Sequence, residues 1–365
     1  MSEWQTFCLK DLGKIVGGTT PSTNNPKNYG NKIAWITPKD LSTLQGRYIK
    51  KGSRSISRLG FKSCSCVLLP KHAILFSSRA PIGYVAIAKK RLCTNQGFKS
   101  IIPNKKIYFE FLYYLLKYHK DNISNIGGGT TFKEVSGATL GLFKVKIPPT
   151  YYEQQKIART LSILDQKIEN NHKINELLHT LAYKIYEYYF KYKPKNAKLE
   201  QIIIENPKSS IMVKNAQKTQ DKYPFFTSGD NILSYPKAII DGRNCFLNTG
   251  GNAGIKFYVG KASYSTDTWC ICANEFSDYL YLLLSSIKTH INQSFFQGTS
   301  LKHLQKNLLK KYPIYMPSAH EIKKFNQIIM PLLTLISINT RISKKLEQIR
   351  DFLLPLLLKQ QVKPQ

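Results

Sequence analysis

Acidic side chains are scarce in this chain: 22 Asp and Glu stand against 54 Lys and Arg, a net charge of +32. Enzymes for small substrates seldom run so short of carboxylates. A field of this sign favours a polyanion, either nucleic acid or an anionic membrane, although a basic bias of the whole proteome would give the same sign. Long apolar runs are also missing. The greasiest stretch, residues 328–338, is broken by Pro331, Thr334 and Ser337. A membrane span needs ~18 apolar residues, so none is expected. The N-terminal MSEWQTFCLK reads as neither a signal nor a transit peptide, which fits a cytoplasmic protein. The seven Cys are odd in number and lack a zinc spacing. Cys64-x-Cys66 and Cys270-x-Cys272 sit in strand-like surroundings and read as buried thiols of a reducing compartment, with a metal site as the weaker alternative.

Catalytic motifs are absent as well. An amino-methyltransferase needs Asn or Asp, then Pro-Pro and an aromatic, but the single Pro-Pro, Pro148–Pro149, follows Ile147. No Gly-rich nucleotide fingerprint links a strand to a helix. A metal-dependent nuclease needs clustered carboxylates, and the chain has no Pro-Asp pair. Glu321-x-Lys323 resembles the end of a nuclease motif. Glu321, however, opens a heptad helix and reads as a surface cap. The seven His show no paired spacing. No catalytic residue, cofactor or metal is assigned.

The chain does contain one helix written twice. Over residues 153–192 apolar side chains fall at Ile157, Leu161, Leu164 and Ile168, then at Leu178, Leu181, Ile185 and Tyr189. Over residues 321–359 they fall at Phe325, Ile329, Leu332 and Ile336, then at Ile342, Leu346, Ile349 and Leu353. Alternating steps of four and three mark a coiled-coil seam. One shift, 168 residues, carries Ile157 onto Phe325, Pro149 onto Pro317, Glu153 onto Glu321 and Asn171 onto Asn339. This is an internal duplication at long period. Such helices, ~58 Å long at 1.5 Å per residue, exceed what a small core needs. They pair most simply antiparallel, as a spacer with pseudo-two-fold symmetry. Asn171 and Asn339 are then expected at equivalent seam positions marking the centre, with separate solvent-facing positions as the alternative.

A hydrophobic content of 42 % supports packed cores, and 365 residues allow two or three domains. The expected division is a first globular unit at 1–147, a helix at 148–193, a second unit at 194–316 and a second helix at 317–365. The fold class is α+β, with two mixed units separated by an antiparallel coiled coil. In the first unit, 67–76 and 83–88 read as strands around a turn holding Ser77, Ser78 and Arg79, and 109–118 reads as a short apolar helix. The glycine-rich stretch at 127–129 leads into Thr130, Thr131 and Lys133. In the second unit the same plan recurs with shifts of 169 to 171: Asn248 and Thr249 follow the strand, and Thr299, Ser300 and Lys302 fill the loop. Loops of this kind suit DNA, where Arg reads guanine and Asn reads adenine. The competing reading for each residue is a turn or cap. The basic run with Arg47, Lys50, Arg54 and Arg58 suits phosphates more than bases.

The stretches LKDLGKIVGGTTPSTNNPKNYGNKIAWITPKDLS, SSRAPIGYVAI, GGGTTFKEVS and IPPTYYEQQKIARTLSILDQKIE, with FFTSGDN and GNAG later on, resemble the DNA-specificity subunits of type I restriction-modification systems. The resemblance spans essentially the whole chain. It implies two target-recognition domains, each reading one half of a split double-stranded DNA site, with helices that set the gap. It further implies a non-catalytic subunit whose helices dock two modification (methyltransferase) subunits, with restriction (translocase/nuclease) subunits as further partners. Pro331 and Pro355 depart from the pattern and put the straightness of the second helix in doubt. The rival readings are a fused restriction/methylation enzyme and a basic coiled-coil scaffold binding RNA or membrane.

Overall fold

The computed structural model describes residues 3–129, 133–216 and 222–364. Two compact units emerge, Met1–Glu169 with Ile349–Gln365, and Asn170–Gln348. In the first, the apolar runs pair into a five-stranded sheet. Its spatial order is Gly13–Gly17, Lys99–Pro103, Ile74–Ser78, Ile82–Ala88 and Tyr48–Ile49. Ile74–Ser78 is buried throughout, as expected of a central strand covered on both faces. A smaller sheet sets Tyr29–Ile36 antiparallel to Arg54–Ile56 and parallel to Cys93–Thr94. Helix α1, Phe109–Asn125, buries Phe111 to Leu116 on nearly every side, so it is a core helix rather than a surface one. Gln5–Cys8 pairs antiparallel with Lys144–Ile147, which leads into helix α2, Tyr151–Tyr186.

The second unit repeats this plan. Arg243–Asn248 lies between Thr268–Cys272 and Ile255–Val259 in a four-stranded antiparallel sheet edged by Ile204–Glu205. Tyr223–Phe226 pairs parallel with Ser263–Tyr264, as Tyr29–Ile36 does with Cys93–Thr94. Helix α3, Ser277–Ser286, takes the place of α1, and helix α4 runs Ala319–Leu358. The duplication read in the helices thus extends to the sheets.

The long helices start alike. Thr150 Oγ1 accepts from the Glu153 N–H, and Ser318 Oγ accepts from the Glu321 N–H. Glu321 Oε2 closes the second cap by accepting from the Ser318 N–H at 2.9 Å. This is the cap role expected of Glu321. The Ser318 N–H and the Tyr315 hydroxyl hold its carboxyl down to about 2. Neither Pro331 nor Pro355 ends α4, which stays one helix of 40 residues. Each proline deletes one N–H, and the turns on either side keep theirs.

The seam has a different frame from the one read off the apolar residues. Ile157, Leu161, Ile168, Phe325, Ile329 and Ile336 are buried, and Leu164, Leu178, Ile185, Leu332 and Leu346 half-buried. Leu181, Ile342 and Ile349 are exposed, and Ala182 and Ser343 are buried instead. Inward positions there carry Asn175, Asn339 and Ser343, and a reading that follows only apolar residues slips by one at polar layers. In the second unit Asn171 Nδ2 donates to Ser343 Oγ at 3.2 Å and Asn339 Nδ2 to Asn175 Oδ1 at 2.9 Å. Tyr189 meets Phe325 edge to face. The residue numbers in each of these pairs add to 514, which is an antiparallel register. The shift of 168 maps the first Asn bond onto the second. The helices also enter the domain cores: Ile157, Ala158 and Leu161 join one core, Ala182, Tyr186 and Phe190 the other.

Candidate nucleic-acid interface

Each unit ties the turn after its central strand to a glycine-containing loop. In the first, Ser77 Oγ donates to Pro81 O and accepts from the Tyr84 N–H, both at 2.8 Å, which pins the turn. The Val135 N–H then donates to Ser78 O at 3.0 Å. Arg79 is half-exposed there, its Nη1 3.6 Å from Glu134 Oε2, while Lys99 Nζ is 3.2 Å from Glu134 Oε1. Lys133 is exposed. Thr130 and Thr131 lie outside the described residues. In the second unit the Leu304 N–H donates to Thr249 O at 3.0 Å and the Gly251 N–H to Lys302 O at 2.9 Å. Val135 to Leu304 is a shift of 169 and Ser78 to Thr249 a shift of 171, so the same bond is made twice. Thr299, Ser300 and Lys302 are exposed beside it.

Several expected contact residues are instead structural. Ser77 and Ser78 are buried in the turn. Asn248 is buried, with Nδ2 donating to Asn252 O and Oδ1 accepting from Lys256 Nζ at 3.1 Å. Gly254 lies so close that a Cβ there would come within 2.3 Å of that amide nitrogen. Burial pulls the Lys256 ammonium below its usual range. The Thr249 hydroxyl donates to Asp267 O at 2.7 Å. Ser77, Asn248 and Thr249 thus shape the turns, and Ser77, Ser78 and Asn248 are buried away from a base edge.

Arg47 is the largest correction. It is 3 % exposed. Its Nη1 donates to Glu110 Oε1 at 2.9 Å and its Nε to Glu169 Oε1 at 3.2 Å, with Asp165 at 4.0 Å. Tyr48 and Tyr108 donate to Glu110, and Tyr114 to Asp165. Arg350 Nη1 takes the other Asp165 oxygen at 2.7 Å. Burial, joined by the neighbouring carboxylates, pushes the Tyr48 and Tyr114 phenols up. A guanidinium so enclosed ties the sheet edge to α1, α2 and the end of α4, and no phosphate reaches it. In the second unit Arg243 plays this part: it chelates Asp278, the second residue of α3, and reaches Thr334 Oγ1 and Met330 O on α4. Lys50, Arg54 and Arg58 remain exposed, with Arg54 5.9 Å over the Tyr29 ring.

Lys99 and Glu134, which bracket Arg79, went unread, because only tertiary contact joins a strand residue to a loop 35 positions away. Cys270 and Cys272 lie in the strand Thr268–Cys272 as expected, Cys270 buried and Cys272 half-buried, but the other pair differs. Cys64 and Cys66 are half-buried outside any strand, 3.1 Å apart. The Cys93 thiol, the Thr19 hydroxyl and the Cys64 thiol hydrogen-bond to Cys66 and hold it down to about 5. Among the described residues no group of three or more His, Cys, Asp or Glu could hold a metal ion, and no helix is long and apolar enough to cross a membrane.

Residues 1–180 and 195–348 match the family model described as "Type I restriction modification DNA specificity domain". The MjaIX specificity subunit of Methanocaldococcus jannaschii is 33 % identical over 402 residues, 97 % of this chain and 92 % of that one. The HindI specificity subunit of Haemophilus influenzae is 30 % identical over 177 residues, 46 % of this chain and 37 % of its own length. In fold, the chain is similar to the solved S subunit from M. genitalium, with a TM-score of 0.63 at 17 % identity, covering 97 % of this chain and 96 % of that one. The fused-enzyme and scaffold readings find no support in these likenesses. With two matched segments that together take in most of its length, the chain belongs to the type I restriction modification DNA specificity family, whose subunits recognise DNA and are non-catalytic.

Proposed function

We propose that the chain reads a split duplex target, one half through residues 1–147 and the other through 194–316. The helices at 148–193 and 317–365 set the gap between halves. The observation that carries this reading is the repeated turn–loop bond, Val135 to Ser78 and Leu304 to Thr249. It presents Arg79 and Lys133 in one half, and Thr299, Ser300 and Lys302 in the other. Polar and basic loops fixed on a sheet suit base edges. Lys50, Arg54 and Arg58 supply phosphate contacts.

The helices also dock two modification subunits, and restriction subunits join that assembly in the cytoplasm. Support comes from apolar side chains left in water. Ile174 and Leu181 are exposed, and so are Ile342 and Ile349, their mates at a shift of 168. Two equivalent apolar patches suit two copies of one partner. The test is to exchange residues 1–147 for the domain of a divergent relative and to map the methylated sites of a host carrying the complete system. One half-site changes and the other stays. A change in both halves refutes the modular reading.

A further inference from the structure

The middle of α4 borders a cavity of about 830 Å³ in the second unit, and its lining is strongly basic. Lys222, Lys261, Arg341 and Lys345 line it and are exposed; among the described residues none of the four is in an ion pair. The carboxylates on the wall are Asp241, which already accepts from the Gly242 N–H, and Glu347. Gly260, at φ +121°, leaves room for the Arg341 guanidinium, 3.4 Å from where a Cβ would stand. His172 lines the same cavity, and its Nδ1 is buried without a hydrogen-bond partner in the structure.

Position narrows the ligand. Arg341 is the repeat mate of Lys173 at a shift of 168, and these two numbers also add to 514. The register and the repeat therefore coincide at this point, where the helical pair is related to itself by its pseudo-two-fold. On the split-target reading these helices set the gap, so a ligand held at this point lies in that gap. The mates of Lys344 and Lys345 are Glu176 and Leu177, so the charge is not duplicated. Such a surface fits a partner met once, unlike the duplicated apolar patches.

We infer that this cleft grips backbone phosphates of the duplex in the gap between the half-sites, as a sequence-independent third contact. The inference rests on the split-target reading above. Lysine and arginine in a wide, open groove track phosphates without reading bases, and each contact adds ~0.9 to the salt dependence of binding.

The test uses the full chain, as wild type and as the double variant Lys261→Gln/Arg341→Gln, with Arg341→Lys as a charge-preserving control for folding. The probes are a duplex carrying the methylated target and an unrelated duplex of equal length. The double variant should bind both more weakly, and its slope of log K against log salt should fall by about 2. Its preference for the target should be unchanged, and Arg341→Lys should keep the slope. Ethylating phosphates in the gap should weaken the wild type and not the double variant. Unchanged slope and affinity in the double variant, with the wild type still protecting two separated patches, overturn the inference alone. A wild type that protects no such pair of patches refutes the split-target reading beneath it. Inorganic pyrophosphate bound by the wild type and lost in the double variant, with the DNA slope unmoved, assigns the cleft to a small anion and overturns the duplex assignment.

Discussion

Glu110 and Asp278 stand 168 residues apart, each second in its core helix, and each holds an arginine, Arg47 buried and Arg243 half-buried. The carboxylates are repeat-related, but the arginines are not. Arg47 precedes the edge strand Tyr48–Ile49, whereas Arg243 opens the central strand of its sheet. The two halves thus arrive at the same clasp from different strands.

Breaking a clasp should be costly. Arg47→Ala leaves the half-buried Glu110 and Glu169 without their cation, and removing one partner of a buried pair costs ~3–5 kcal/mol. Urea unfolding of Arg47→Ala should show a loss of this size, and Arg47→Lys, which loses the fork, a smaller one. A loss under 1 kcal/mol would mean that the carboxylates find water.

The polar layer of the seam should trade stability for register. Asn339→Ala strands the Asn175 amide and should cost ~1–3 kcal/mol. Replacing both Asn175 and Asn339 with Leu should restore or raise the melting temperature while loosening the register. Cysteines placed at 171 and 343 report register by crosslinking, and they should crosslink less completely in the double Leu background.

The cap of α4 should fade in acid. Glu321 is held from 4.5 down to about 2 by the Ser318 N–H and the Tyr315 hydroxyl. A depressed carboxylate contributes stability that is fully present above its unfolded value and is lost as pH falls through the folded one. Wild type and Glu321→Gln should therefore differ in melting temperature at pH 6, and the difference should shrink between pH 4.5 and 2. Ser318→Ala should cost ~1 kcal/mol at neutral pH.

Cys66 should be the first thiol to alkylate. Hydrogen bonds from Cys93, Thr19 and Cys64 favour its thiolate, and the thiolate is the nucleophile. Iodoacetamide at pH 6.5, read by peptide mass, should label Cys66 ahead of Cys245, which burial pushes up. Thr19→Val should slow that labelling.

The repeat was legible because it rests on spacing, and caps, prolines and apolar steps all obey one shift. The seam frame was legible only where the layers were apolar. Asn339 is buried on the seam where it is expected, but Ser343 carries an inward position without an apolar signature, so an apolar reading lands on Ile342, one residue away and in water. The recognition loops were found from glycine and hydroxyl content, which marks turns, but content cannot separate a hydroxyl that builds a turn, as Ser77 does, from one facing outward, as Ser300 does. Arg47 was misread because a basic run looks uniform in sequence. Its neighbours Lys50 and Arg54 face solvent, and only the three carboxylates brought from α1 and α2 draw Arg47 inward.

The clasp also limits which grafts between relatives succeed. A transplant cut after residue 147 brings its own equivalent of Glu110 but inherits Asp165 and Glu169 from the recipient. A donor lacking an arginine where Arg47 stands would leave Glu169 without its cation and Asp165 with Arg350 alone, and the hybrid would lose stability before its choice of DNA could be scored. Compatible donors can be picked in advance by that one position.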